Sequence, residues 1–325
     1  MIDRIAIYES DGLDPYRNLA IEQHLLESVV SGCCLLYLWQ NERTVVIGKN
    51  QNAWAECRTA LLKDEGGRLA RRLSGGGAVY HDVGNLNFTF LMRSEDYDLM
   101  RQLSVIRRAC ALCGVETEIS GRNDLLAAGR KFSGNAFYHH EGRSYHHGTL
   151  LIDTDAERMG RYLSPSKAKL ASKGVESVRS RVVNLKELNP AITVDALKTA
   201  MRQAFSEVYT LPVSAPPVPD EARIEELAAH YASDAWLFGQ KLPFTFRCEQ
   251  RFAWGGVELQ LFVDRGVIQN AAVYTDAMDD GLADKLKAAL TGCSLQIDAI
   301  AQTLRESDVE QDKRADLIEL IASVL

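Results

Sequence analysis

The residues richest in chemistry form one run, Arg71-Arg72-Leu73-Ser74-Gly75-Gly76-Gly77-Ala78-Val79-Tyr80-His81-Asp82, followed closely by Gly84-Asn85. Three consecutive glycines between two strand-like segments remove every side chain from a short piece of backbone. Its N–H groups can then approach a ligand closely and cradle a phosphate or carboxylate. The paired arginines upstream add permanent positive charge and a planar fork of donors suited to phosphate oxygens. The run therefore points to an anionic, phosphate-bearing ligand; a tight hairpin or a close backbone crossing is the alternative that three glycines alone leave open. It matches neither the phosphate-binding pattern that ends Gly-Lys-Ser/Thr nor the dinucleotide pattern Gly-x-Gly-x-x-Gly.

Lys131 is the foremost catalytic candidate. It stands between Gly129 and Gly134 in a polar stretch without amphipathic period, shortly after Asn123-Asp124. A lysine on glycine-hinged backbone can bring one compact charge to a substrate carboxylate and to the phosphate it attacks, whereas arginine grips with a flat fork. A solvated loop lysine is the alternative. Asp124 would orient Lys131, hold Mg²⁺ near phosphates, or close an Asx turn. His139-His140 and His146-His147 lack acidic or cysteine co-ligands at metal-site spacing. Neighbours on a strand also face opposite ways, so we expect no dedicated metal site, and expect one of His146 and His147 to face the ligand. A basic segment with Lys167, Lys169, Lys173, Arg179 and Arg181 contrasts with an acidic chain and would close over a nucleotide or steer an acidic partner.

The elements that must position these residues follow from periodicity. Asp14-Pro15 caps a helix running to Gly32. Leu35 to Gln40 and Thr44 to Gly48 read as a hairpin about Asn41-Glu42-Arg43. Leu69 to Leu73, Ala78 to His81 and Leu86 to Met92 add strands around the glycine turn. Leu99 to Cys113 and Thr193 to Tyr209 are amphipathic helices, and a further helix, Asp220 to Ala232, packs back on the first domain. From Phe244 the texture turns to strands closed by helical segments from about Asp280 and from Ser307. The expected fold is α+β: mostly antiparallel sheets flanked by helices in a large domain, 1–243, plus a small α+β domain, 244–325.

With 325 residues, 46% hydrophobic and 25% charged, the chain has ample material for a core. A net charge of −7 argues against a nucleic-acid binder. No apolar run reaches membrane-spanning length, and the odd, scattered set of seven cysteines suits a reduced, cytoplasmic setting. Cys110-x-x-Cys113 lies in a helical pattern and reads as packing. Cys57, Cys110 and Cys113 lack the glycine-rich or basic setting of a thiolate nucleophile.

Taken together, these motifs resemble the lipoate-protein ligases of the A type. The resemblance rests on the Arg71-to-Asn85 run, Gly121-Arg122-Asn123-Asp124-Leu125, Lys131-x-Ser133-Gly134-x-Ala136, His146-His147-Gly148-Thr149-Leu150-Leu151, Lys173-Gly174-x-x-Ser177-Val178-x-Ser180-Arg181-Val182 and Arg251-Phe252-x-Trp254-Gly255-Gly256-Val257-Glu258-Leu259. It implies ATP-dependent ligation of lipoate, via lipoyl-AMP, to a lysine of apo lipoyl domains in 2-oxoacid dehydrogenase E2 subunits and glycine-cleavage H protein. Mg²⁺ would accompany the nucleotide. It further implies nucleotide contacts at Arg72, Gly76, Gly77, Ala78, Val79, Tyr80, Asp124 and Lys131; lipoate contacts at Gly75, Lys131 and His147; and an adenylate-covering lid at Lys173, Ser177, Val178 and Arg181. An octanoyltransferase of the same fold would need a reactive cysteine, and none lies between Gly121 and Ile152. A biotin-protein ligase has a different signature. A non-catalytic binder of lipoate or its adenylate would have less need of Lys131.

Overall fold

The computed structural model describes residues 1–120, 124–164, 182–239 and 243–325. Its strands in chain order are β1 (Arg4–Glu9), β2 (Cys33–Trp39), β3 (Thr44–Ile47), β4 (Arg68–Arg71), β5 (Val79–His81), β6 (Asn85–Arg93), β7 (Glu118–Ser120), β8 (Asp124–Ala127), β9 (Arg130–His140), β10 (Arg143–Leu151), β11 (Val213–Ser214), β12 (Phe246–Phe252), β13 (Gly255–Asp264) and β14 (Val267–Thr275). An eight-stranded sheet runs β11-β1-β2-β6-β10-β9-β8-β7, a three-stranded sheet runs β4-β3-β5, and a second three-stranded sheet runs β12-β13-β14. Helices flank these sheets in a large N-terminal unit and a small C-terminal one, as expected.

Strand β2, Cys-Cys-Leu-Leu-Tyr-Leu-Trp, is buried at every position because both faces of the large sheet are covered. Its alternation divides two cores. Cys34, Leu36 and Leu38 join Phe88, Phe90 and the helices Leu99–Leu112 and Val194–Tyr209 on one side. Leu35, Tyr37 and Trp39 meet the helices Pro15–Ser28 and Glu221–Ala232 on the other. Each fully buried Leu or Phe contributes roughly 1.5–3 kcal/mol. Helix Pro15–Ser28 starts as expected: the Asp14 carboxylate accepts from the N–H groups of Tyr16 and Arg17, with Pro15 in the first turn.

The expected hairpin across Asn41-Glu42-Arg43 does not form. Both edges of β2 are already taken, by β1 in parallel and β6 antiparallel, so the chain leaves for the small sheet, where β3 pairs with β4 and β5. The polar stretch around Lys131 is also a strand, β9, rather than irregular chain. Strand β1 and the helix Ile297–Glu306 went unanticipated.

The C-terminal unit has its own core, which includes Leu259, Leu261, Leu286 and Leu317, and touches the N-terminal unit at the glycine loop. Gly76 N–H donates to Ala277 O (3.2 Å), and Thr275 N–H donates to Asn50 O (2.9 Å). Among the described residues no helix is long and apolar enough to cross a membrane.

Candidate functional site

A cavity of about 170 Å³ opens between the glycine loop and the face of the large sheet. Its apolar walls are Leu19, Trp39, Val46, Val79, Ala136 and Met278; its polar walls include Arg72, Gly76, Gly77, Lys131 and His147. The loop joins β4 to β5, the two outer strands of the small sheet, and crosses the end of β3, where Lys49 N–H donates to Ser74 O (2.9 Å). Gly76 has φ +86°, in the left-handed region that favours glycine. A Cβ at Gly75 would stand 2.4 Å from Ala277 O, so bare backbone is required where the C-terminal unit meets the loop.

The two arginines part company. Arg72 is buried and braces the loop from within: its guanidinium donates to Gly75 O (2.7 Å), Gly77 O (2.8 Å), Val46 O (3.2 Å) and Ser74 Oγ (3.0 Å). Burial pushes it down to about 10, still cationic at neutral pH. Arg71, one position earlier at the end of β4, faces away from the cavity. It donates to the carbonyls of Gly48, Lys49, Gln51, Trp236 and Leu237 and so ties the turn after β3 to the helix Asp234–Phe238. The expectation that both arginines offer forks to phosphate is thus corrected for Arg71, since strand alternation sends it to the other face.

Strand β9 places Lys131. Opposite Leu125 and Leu126 the register skips Phe132, a bulge that re-aims the neighbouring side chains. Phe132 is fully buried, while the half-exposed Lys131 ammonium reaches Asp124 Oδ1 at 2.7 Å. Lys131 lies over Gly134, where a Cβ would come within 3.1 Å of its Nζ. The pairing of Asp124 with Lys131 was one of the open readings of the sequence.

His147 lines the cavity as its neighbour His146 turns away to Gln102 Oε1 (2.9 Å). His147 Nδ1 donates to Glu22 Oε1 (2.8 Å), which also accepts from Thr89 Oγ1 (2.7 Å); Ser74 Oγ sits 2.8 Å from His147 Nε2. The network links the Pro15–Ser28 helix, β6, β10 and the glycine loop. Buried Glu22, Thr89 and Ser74 were not expected at the site. For Thr89 the signal was present as polar residues at every second position of β6, Asn85, Asn87 and Thr89, alternating with Leu86, Phe88 and Phe90.

Of the other expected residues, Ala78 and Val79 reach the wall. Tyr80 points to the opposite face, its ring tilted against that of Tyr162 with centroids 5.7 Å apart and its hydroxyl pushed up to about 12 by burial. Gly75 packs on Ala277 and Met278 rather than on the cavity. Met278, which no pattern in the sequence distinguishes, reaches the wall from the C-terminal unit. Lys173, Ser177, Val178 and Arg181, with the rest of the basic segment, lie outside the described residues, as do Gly121, Arg122 and Asn123. Among the described residues no cluster of His, Cys, Asp or Glu could hold a metal ion.

A family model of the lipoyl protein ligase A/B catalytic domain matches residues 14–206, more than half of the chain. The chain belongs to this family. A second model, of the bacterial lipoate protein ligase C-terminus, matches residues 241–323. Among solved structures, the family likeness extends to LipL1 of P. falciparum in complex with lipoate, at 26% identity and TM-score 0.85, covering 98% of this chain and 99% of that one. It is also similar to a bipartite lipoate protein ligase from Thermoplasma acidophilum, described together with its E2 lipoyl domain (26% identity, TM-score 0.64, 76% of this chain and 100% of that one). Lipoate-protein ligase A bound with ATP shares 26% identity at TM-score 0.62, covering 74% of this chain and 99% of that one.

Proposed function

We propose that this family member activates lipoate with ATP and ligates it to a lysine of apo lipoyl domains such as E2 subunits and H protein. The observation that carries the reading is the cavity itself: an apolar slot with the Lys131 ammonium, held by Asp124, and side-chain-free backbone at Gly76–Gly77 on its wall. The lipoate and ATP bound by related proteins, and the E2 lipoyl domain paired by name with a third, support it.

In the first step a lipoate carboxylate oxygen attacks the α-phosphorus of ATP and pyrophosphate leaves. In the second, the acceptor amine attacks the acyl carbon of lipoyl-AMP, the amide forms, and AMP and a proton leave. Lys131 neutralises charge shared between carboxylate and phosphate and then polarises the acyl carbonyl. Asp124 holds that ammonium in place until ligand oxygens compete for it. Mg²⁺ would enter with the nucleotide; Asp124 is already engaged by Lys131 and so fits orientation of the lysine better than metal binding. The apolar walls exclude water from an anhydride that water would destroy.

A cysteine-thioester transferase fits less well, because no cysteine lines the cavity and burial pushes the Cys57 thiol up to about 12. The deciding experiment incubates the protein with ATP, Mg²⁺, lipoate and an apo lipoyl domain, reads the acceptor's mass with each component omitted in turn, and follows lipoate-dependent ATP–pyrophosphate exchange. An ATP-dependent lipoyl mass gain with exchange supports the ligase. A gain seen only with an acyl carrier protein donor, or tight lipoate binding without exchange, refutes it.

A further inference from the structure

Two polar groups on the cavity wall have no part in the chemistry above. His81 and Asn87 both line the cavity and are 3% and 1% exposed. Asn41 Oδ1 accepts from Asn18 Nδ2 (3.0 Å), so its amide nitrogen is the atom that faces His81 Nδ1, at 3.1 Å. His81 Nδ1 is therefore an acceptor, and the proton of the neutral ring sits on Nε2. Burial, reinforced by the charges of Arg72 and His147, pushes this imidazole down to about 3, so it stays neutral at physiological pH. Asn87 lies beside it, with its Oδ1 accepting from Asn85 Nδ2 (2.8 Å) and its own amide N–H₂ left to the cavity. Neither His81 Nε2 nor Asn87 Nδ2 has a hydrogen-bond partner among the described residues.

Buried N–H donors without partners are costly and rare, so two on one wall call for an acceptor from outside the chain. Their position says which part of a ligand would bring it. Asn87 stands opposite Trp39 in the β2–β6 register, and the Trp39 ring meets the His81 ring edge-on at 6.0 Å. On the other side Asn87 is opposite Thr149 of β10, whose hydroxyl accepts from Gly134 N–H of β9, beneath the Lys131 ammonium. Two strand spacings, roughly 10 Å, thus separate Asn87 from the residue under Lys131. An acid with its carboxylate at Lys131 would bring the far end of its chain to His81 and Asn87.

We infer that His81 Nε2–H and Asn87 Nδ2–H form an end wall that selects acids carrying a hydrogen-bond acceptor at the tail, the sulfurs of a dithiolane ring among them, over a plain alkyl chain. The inference rests on the proposed function and names the feature of the acyl substrate that this site reads. A thioether-like sulfur is a weak acceptor. Discrimination therefore comes mainly from the alternative, in which a methyl terminus leaves both dry donors unsatisfied. Trp39, Leu19 and Val46 supply apolar contact that either tail satisfies, so they do not by themselves separate the two.

The test is calorimetric titration of the full chain and of its Asn87→Leu variant with lipoate, octanoate and ω-hydroxyoctanoate, the last carrying a strong acceptor on an unbranched tail. For the wild type, lipoate and ω-hydroxyoctanoate are expected to bind about tenfold tighter than octanoate. In Asn87→Leu both ratios should contract to roughly threefold or less, because one donor is gone and the wall there becomes apolar. Asn87→Ser, which cannot reach the tail, gives the same reading if leucine is not accommodated. Equal wild-type affinities for the three acids, or ratios that the substitution does not change, overturn the inference while leaving the ligase reading intact. Failure of the wild type to bind any of the acids refutes the ligase reading, and the inference falls with it.

Discussion

Replacing Arg71 with lysine separates a strut from a phosphate ligand. The guanidinium reaches five carbonyls, on Gly48, Lys49, Gln51, Trp236 and Leu237, in two segments far apart in sequence. A lysine ammonium has three donors on one atom, so at least two of these carbonyls lose a charge-assisted partner. At about 1–2 kcal/mol each, with water repairing the partly exposed ones, Arg71→Lys should destabilise the chain by roughly 2–4 kcal/mol. Burial already pushes the arginine down to about 10, and it would oppose the charge on a lysine further. Urea unfolding should show a lowered midpoint with an unchanged slope, while calorimetry shows ATP affinity within about threefold of wild type. A variant with wild-type stability and ATP affinity weakened by tenfold or more would refute the strut and return Arg71 to the phosphate site.

Lys131→Ala should fold normally, since the side chain is half-exposed and paired only at the surface, and should lose adenylate formation; exchange at the wild-type rate would remove Lys131 from the mechanism. Glu22→Gln keeps the size of the side chain but lets its amide face His147, and we expect kcat/KM for lipoate to fall by about tenfold through a misoriented imidazole; unchanged steady-state kinetics would show the network to be packing alone. Acid should destabilise the chain. His81 and His146 are both pushed by burial from 6.5 to about 3, so between those values the unfolded chain binds protons that the folded one does not, and stability is present above 6.5 and lost as pH falls. From pH 7 to pH 5 this amounts to at most about 2 kcal/mol per histidine. Equal urea midpoints at those two pH values would contradict it.

How far the sequence alone determined this protein depends on the range of the interactions involved. Local chemistry was legible: the Asp14-Pro15 cap, the strands either side of the glycine turn, the helix periods, and the C-terminal strand cluster from Phe244. Each of these rests on contacts within a few residues. The loop Ser74 to Ala78 and Lys131 could be singled out because glycines and an unperiodic lysine are unusual in any local pattern. Partners across long separations could not be read in the same way. Whether β3 continues β2 or joins another sheet depended on β1 and β6 occupying both edges of β2. Which arginine faces the ligand depended on strand register, and a one-residue step sends Arg71 to Trp236 and Leu237 instead of to the cavity. The bulge at Phe132, the Glu22–His147–Ser74 network and the arrival of Met278 from the C-terminal unit were likewise decided only when the sheets closed. Packing, unlike helix or turn formation, depends on residues brought together from across the whole chain.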